Sequence, residues 1–155
     1  MSGTTPVLVI QGPNMTYLGR RLPEYYGRTT AAELDVMIEA EAARLGLAPE
    51  ILYTHHEGVA IERVYAAVEA GVRGLLMNPA GFLYAGWALR DTLEAVREAE
   101  GFVYVEVHMT NVEKRGKHSV LADQADGFIA GLGTDSYMLG LRALAGLLAV
   151  KSAPG

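Results

Sequence analysis

The sequence predicts an α/β fold in which a parallel sheet of five strands is covered by helices on both faces. Three observations point there. Short β-rich runs alternate with helical patterns along the whole chain. Two of those runs, at 7–10 and 75–77, are continuously apolar, as strands buried on both faces must be. Each of the first three helical patterns is also stopped by a glycine close to its end.

In chain order, residues 6–11 read as the first strand. The stretch 11–27, Q-G-P-N-M-T-Y-L-G-R-R-L-P-E-Y-Y-G, is punctuated by Gly12, Pro13, Gly19, Pro23 and Gly27, which forbid a long helix or strand. Thr30-Ala31-Ala32-Glu33 is a capping box, and Leu34, Met37, Ile38, Ala42 and Leu45 recur at helical spacing until Gly46. Residues 50–54 form the second strand, 59–70 a helix stopped at Gly71, and 74–78 the third strand. A helix over 84–98 stops near Gly101, and strands follow at 102–107 and 127–131. The last helix, about 135–150, is rich in Leu and Ala and ends in a frayed tail. Such alternation implies a doubly wound, flavodoxin-like three-layer sandwich of strand order 2-1-3-4-5, with residues 1–155 as a single domain.

Composition sets the bounds. A chain of 155 residues, half hydrophobic and one-fifth charged, can bury one full core. A formal charge of −5 argues against nucleic acid or an anionic membrane as the main partner, although a local Arg cluster can still draw an anionic small molecule into a cleft. There is no Cys, hence no disulfide framework, thiolate nucleophile or zinc ribbon. No apolar run approaches the roughly 20 residues of a membrane span, and the N-terminus lacks a signal-type pattern, so a soluble cytoplasmic protein is expected.

The polar residues worth following sit where strands end. Gln11 and Asn14 follow the first strand, Asn78 closes the third, His108, Thr110 and Asn111 follow the fourth, and Gly131-Leu132-Gly133 the fifth. Open α/β sheets bind ligands beyond the carboxyl ends of their strands, at the switch between strands 1 and 3. Glu106 and His108 lie two apart on an extended chain and so share a face, where the carboxylate can hold the imidazole and fix its tautomer for acid–base work. A histidine satisfied structurally at a strand end reads the same way. In the 11–27 loop, Arg20 and Arg21 accompany Tyr17, Tyr25 and Tyr26, and a guanidinium beside a phenol favours phenolate; an ordinary surface loop with snorkelling aromatics is the plainer reading. His55, His56, His108 and His118 are scattered, without metal-ligand spacing. A nucleotide fingerprint on Gly131-Leu132-Gly133 is weak, because Ser136 stands at its third glycine.

Several motifs, in order, resemble the type II 3-dehydroquinate dehydratases. Gln11-Gly12-Pro13-Asn14 resembles that family's N-G-P-N, and Leu18-Gly19-Arg20-Arg21-Leu22-Pro23-Glu24-Tyr25-Tyr26-Gly27 resembles its L-G-x-R-x-P-x-x-Y-G lid. His56-Glu57-Gly58, Asn78-Pro79 and Ala88-Leu89-Arg90-Asp91 find counterparts, as do Glu106-Val107-His108-Met109-Thr110-Asn111 (E-V-H-x-S-N) and Gly131-Leu132-Gly133 with Tyr137. The resemblance implies a hydro-lyase of the shikimate and quinate pathways that needs neither metal nor cofactor and eliminates water from a cyclic hydroxy-keto carboxylate. It implies Tyr26 as base with Arg21 beside it, and Asn14 holding a water that donates to the enolate oxygen. His108, backed by Glu106, would protonate the departing hydroxyl. Asn78, Thr110 and the backbone from Met109 onward would grip the substrate carboxylate. Asp91 resembles the residue that reaches a neighbouring subunit's site in the family's trimer-based dodecamer.

The chain departs from the pattern at the substrate's hydroxyl edge. Tyr84 stands where the family has His, and the 112–119 segment is about three residues shorter, leaving Arg115 or Lys117 to replace the second Arg of that segment. Gln11, Leu22 and Thr110 replace the usual Asn, Glu and Ser. A pocket that loses partners for a buried hydroxyl discriminates poorly in its favour. Besides 3-dehydroquinate dehydration, two readings therefore stand: a related dehydratase of another cyclic hydroxy-keto acid, and a non-catalytic homologue that binds a small acid.

Overall fold

The structure is a computed structural model that describes residues 3–154. Its five strands are β1 (Thr5–Gln11), β2 (Leu47–Tyr53), β3 (Gly74–Asn78), β4 (Val103–His108) and β5 (Gly127–Ala130). They form one sheet in the order β2-β1-β3-β4-β5, every neighbouring pair parallel. The helices are α1 (Pro23–Tyr26, a single turn), α2 (Ala31–Arg44), α3 (Glu57–Glu69), α4 (Trp87–Glu100) and α5 (Asp135–Ser152). This is the doubly wound order expected from the alternation.

Side-chain alternation divides the core into two halves. Val7, Val9, Leu76, Val103, Val105 and Val107 face α2 and α5, whose Leu34, Ile38, Leu141 and Leu144 meet them. Leu8, Ile10, Leu75, Met77 and Tyr104 face α3 and α4, meeting Ala60, Val64, Leu89 and Leu93. Every residue of β3 and β4 is buried, as central parallel strands require. The α5 helix approaches closely at Gly140, where a Cβ would fall 2.7 Å from side-chain carbons of both Leu76 and Val107.

Local chemistry sets the boundaries. Both halves of the Thr30–Glu33 capping box form, fixing the start of α2. The β2 strand begins at Leu47, three residues before the expected 50, through Ala48 and Pro49. Those residues carry little strand signal, but β2 is an edge strand, where proline is tolerated. The α4 helix starts at Trp87 rather than 84, because a 3-10 turn over Ala80–Leu83 and then Gly86 precede it. Its first turn is secured from outside: the Glu57 carboxylate at the head of α3 accepts from the Leu89 N–H at 3.0 Å. The final helix runs on to Ser152, past the expected 150.

Candidate active site

Strand register brings the carboxyl ends to one level. Gln11 pairs with Asn78 across β1 and β3, and Met77 with Glu106 across β3 and β4, so His108 stands at the rim beside Asn78. At this rim lies a cleft of about 590 Å³ including its open mouth, lined by Asn14, Arg21, Tyr26, Asn78, Tyr84, His108 and the loop from Met109 to Lys117. Tyr26 packs against the core half under α2 and α5. His108, by contrast, shares the strand face of Tyr104, which belongs to the half under α3 and α4. The cleft thus straddles the carboxyl end of the sheet, with Tyr26 coming from the side of α2 and α5 and His108 from the strand face toward α3 and α4.

His108 is fixed from behind. Its Nε2 lies 2.7 Å from Oε2 of Glu106, and Oε1 of the same carboxylate accepts from the Tyr104 hydroxyl at 2.6 Å. Tyr104 and Glu106 are fully buried and His108 nearly so. Burial, reinforced by the adjacent carboxylate, pushes the Tyr104 phenol well above its ordinary pKa, so it stays protonated and donates. An ionised carboxylate only accepts, so Nε2 carries the proton and Nδ1 is left for the cleft. The Phe128 ring tilts 42° against the imidazole with centroids 5.3 Å apart, closing its outer side.

Tyr26 sits on a flap. Leu22 adopts a left-handed φ of 40°, Pro23 opens the single turn α1, and Gly27 leaves it at φ 73°. The flap's neck is tight at Gly19, where a Cβ would lie 3.1 Å from the Arg28 carbonyl. Arg21 places its guanidinium carbon 5.5 Å from the Tyr26 ring centroid. The hydroxyl of Tyr26 is met instead by Arg115, whose Nη1 donates to it at 3.1 Å and to Thr110 Oγ1 at 3.1 Å.

The floor is a buried polar chain. Asn78 donates from Nδ2 to the Tyr137 hydroxyl at 2.8 Å, while its Oδ1 accepts the N–H of Ala80 at 3.0 Å. Tyr137 in turn donates to Oε1 of Gln11 at 2.7 Å. Burial raises the Tyr137 phenol above its normal value, which keeps this donor in place. The amide orientation of Asn78 is therefore set from below. Asn14, left-handed at φ 70°, is held by its own N–H donating to Nδ1 of His55 at 3.1 Å.

Of the residues singled out in the sequence, Asn14, Arg21, Tyr26, Asn78, Tyr84, His108, Met109, Thr110, Arg115 and Lys117 line this one cleft, with Glu106 directly behind His108. Asp91 does not; it projects from α4 with its side chain 75% exposed, beside Arg90. Gly131 and Gly133 brace β4 rather than frame a nucleotide loop, their N–H groups donating to the carbonyls of His108 and Met109. Tyr104 escaped sequence reasoning, while Tyr137 enters there only as part of a family motif and His55 only among the scattered histidines. For Tyr104 a signal was present, since it lies two residues before Glu106 and shares its strand face. For His55 none was, because its partner is 41 residues away.

Comparison with known proteins places the chain as a whole. The profile of the family described as Dehydroquinase class II matches residues 5–145. A 3-dehydroquinate dehydratase of Xanthomonas oryzae pv. oryzae is 43% identical over 141 residues, covering 89% of this chain and 93% of the relative. A 3-dehydroquinate dehydratase 2 of Corynebacterium efficiens is 43% identical over 142 residues, covering 90% and 96%. The crystal structure of type II dehydroquinase from Propionibacterium acnes matches with a TM-score of 0.83 at 33% identity, covering 94% of this chain and 99% of that one. A profile match spanning nearly the whole sequence, joined to a shared fold and close relatives, places this chain in the class II dehydroquinase family.

Proposed function

We propose that the protein is a hydro-lyase that removes water from 3-dehydroquinate to give 3-dehydroshikimate through an enolate. One observation carries the reading: a phenol and a carboxylate-backed imidazole open onto the same cleft from opposite faces of the sheet. Elimination with anti geometry needs a base on one face of the ring and an acid on the other. Tyr26 as phenolate takes the proton alpha to the ketone, and the electron pair moves onto the carbonyl oxygen. Asn14 holds a water that donates to that oxygen as its charge develops. The enolate collapses, the C–O bond to the β-hydroxyl breaks, and the imidazolium form of His108, its Nε2–H held by Glu106, gives its Nδ1 proton to the departing oxygen, which leaves as water while the ring returns to neutral. Asn78, Thr110 and the backbone after His108 grip the substrate carboxylate. All these parts are protein side chains, backbone and water. The family relation supports a trimer-based dodecamer in which Asp91 completes a neighbour's site, and a place in the cytoplasmic shikimate route to aromatic amino acids.

A second reading is favoured by Tyr84 and Lys117. Tyr84 is 57% exposed at the mouth, and Nζ of Lys117 lies 5.5 Å from its ring centroid. The family pattern has His at that position, so the edge of the cleft that meets ring hydroxyls differs here. On this reading the elimination is retained and the substrate is another cyclic hydroxy-keto acid. One experiment separates the two. The purified protein is mixed with 3-dehydroquinate and the conjugated enone absorbance followed. Turnover lost by at least roughly 100-fold in both Tyr26→Phe and His108→Ala is the expected result. A folded parent that leaves 3-dehydroquinate untouched, yet dehydrates an analogue altered at the ring hydroxyls, selects the second reading.

A further inference from the structure

Arg115 makes two kinds of contact with the flap, and only one of them is with Tyr26. Its guanidinium carbon lies 4.5 Å from the centroid of Tyr25, nearer than the 5.6 Å to Tyr26. The guanidinium therefore rests on the Tyr25 ring while Nη1 reaches the Tyr26 hydroxyl and Thr110 Oγ1. The two tyrosine rings meet edge to face, with centroids 6.5 Å apart and planes at 60°.

The two sides of this contact differ in rigidity. Beneath Arg115 the chain is well tied: Asn111 Oδ1 accepts the Lys114 N–H at 3.1 Å, and the Asn111 and Val112 carbonyls accept the Arg115 N–H. Val112 also accepts from Lys117 at 2.9 Å. The flap's backbone has no such bracing, although the Tyr26 ring packs against the core. No residue from 20 to 27 is buried, and the N–H groups of Tyr25, Tyr26 and Gly27 bond only within the turn, to Leu22 and Pro23. The contacts of Tyr25 and Tyr26 with Arg115 thus join a turn whose N–H groups bond only within itself to a braced loop. A long arginine stem has many rotamers, and a ring face beneath the guanidinium removes most of them.

Resting on the proposed elimination, we infer that Tyr25 is a positioning residue: it seats Arg115, and through Arg115 it fixes the hydroxyl of the base Tyr26. Tyr25 need not touch substrate. It is half exposed, outside the residues that line the cleft. The ring face, not the hydroxyl, meets the cation, so phenylalanine can do the same work and an aliphatic side chain cannot.

The test uses Tyr25→Leu, Tyr25→Phe, Arg115→Ala and the double variant Tyr25→Leu/Arg115→Ala in the full chain. An exposed cation–π contact converts to a loss of roughly 2- to 5-fold in kcat for Tyr25→Leu, with Tyr25→Phe within about 1.5-fold of the parent. The double variant should match Arg115→Ala alone, because removing the seat matters only while its occupant is present. Hydrogen exchange at residues 25–27 supplies a readout independent of substrate: Tyr25→Leu and Arg115→Ala should both speed it, and Tyr25→Phe should not. Additive losses in the double variant, or unchanged exchange in Tyr25→Leu, overturn the inference. A parent inactive on 3-dehydroquinate strikes at the proposed substrate instead, and the exchange experiment then decides the role of Tyr25 by itself.

Discussion

Replacing Glu106 by glutamine is the sharpest probe of the acid side, because the substitution keeps the shape and forces a choice between two partners. The carboxylate now accepts from Tyr104 at 2.6 Å and holds His108 Nε2 at 2.7 Å, both through acceptor oxygens. An amide has one carbonyl and one NH2. If its carbonyl keeps Tyr104, the NH2 faces His108 and moves the neutral ring's proton to Nδ1; if its carbonyl keeps His108, the NH2 opposes the Tyr104 hydroxyl in a fully buried site. Either way the imidazolium loses its counter-charge. A hydrogen bond to a charged partner is worth about 1.5–3 kcal/mol, so kcat should fall roughly 10- to 150-fold while KM changes by less than about 3-fold. Steady-state kinetics, with circular dichroism to show a native fold, measures this. A kcat within about 3-fold of the parent would refute a charge-backed acid and leave His108 to work unaided.

Two further substitutions test other parts of the molecule. Tyr137→Phe strands Oε1 of Gln11 and leaves Nδ2 of Asn78 with only the Met15 sulfur at 3.7 Å, and should cost about 1–3 kcal/mol in urea unfolding and raise KM more than it lowers kcat. Burial lifts the Asp126 carboxyl, but hydrogen bonds from Arg97 and the Tyr104 N–H outweigh it, leaving its pKa below the ordinary carboxylate value. A depressed folded pKa stabilises above the unfolded value and is lost as pH falls through the folded one. The parent should therefore exceed Asp126→Asn by about 1 kcal/mol at pH 7, and the two melting curves should converge below about pH 4.

Much of this architecture was legible because the strongest signals were local. Continuous apolar runs gave the central strands, and the capping box at Thr30–Glu33 fixed α2 to the residue. The strand-end polar residues pointed to one rim, since a parallel sheet sends every such end the same way. What escaped depended on distance. Ala48 and Pro49 join β2 only because β1 offers them partners at Pro6 and Val7. Arg115 could be placed near the substrate from sequence, but its grip on Tyr26 spans 89 residues and needs the flap to fold over the loop after β4. Tyr137 stands out in the sequence as a family-motif residue without a role; only the closeness of α5 to the sheet turns it into the pivot between Gln11 and Asn78.

The narrow neck of the flap has an evolutionary consequence. With entry at Gly19 and exit at Arg28 and Thr30 nearly touching, the loop between them can change in length, and at positions other than Arg21, Tyr25 and Tyr26, without displacing a single strand. The proton donor has no such freedom, standing as it does at the end of a strand whose every residue is buried. A change of ligand preference is thus accommodated with least disturbance in the flap and the loop it rests on, because a substitution beside Glu106 and Tyr104 disturbs fully buried neighbours.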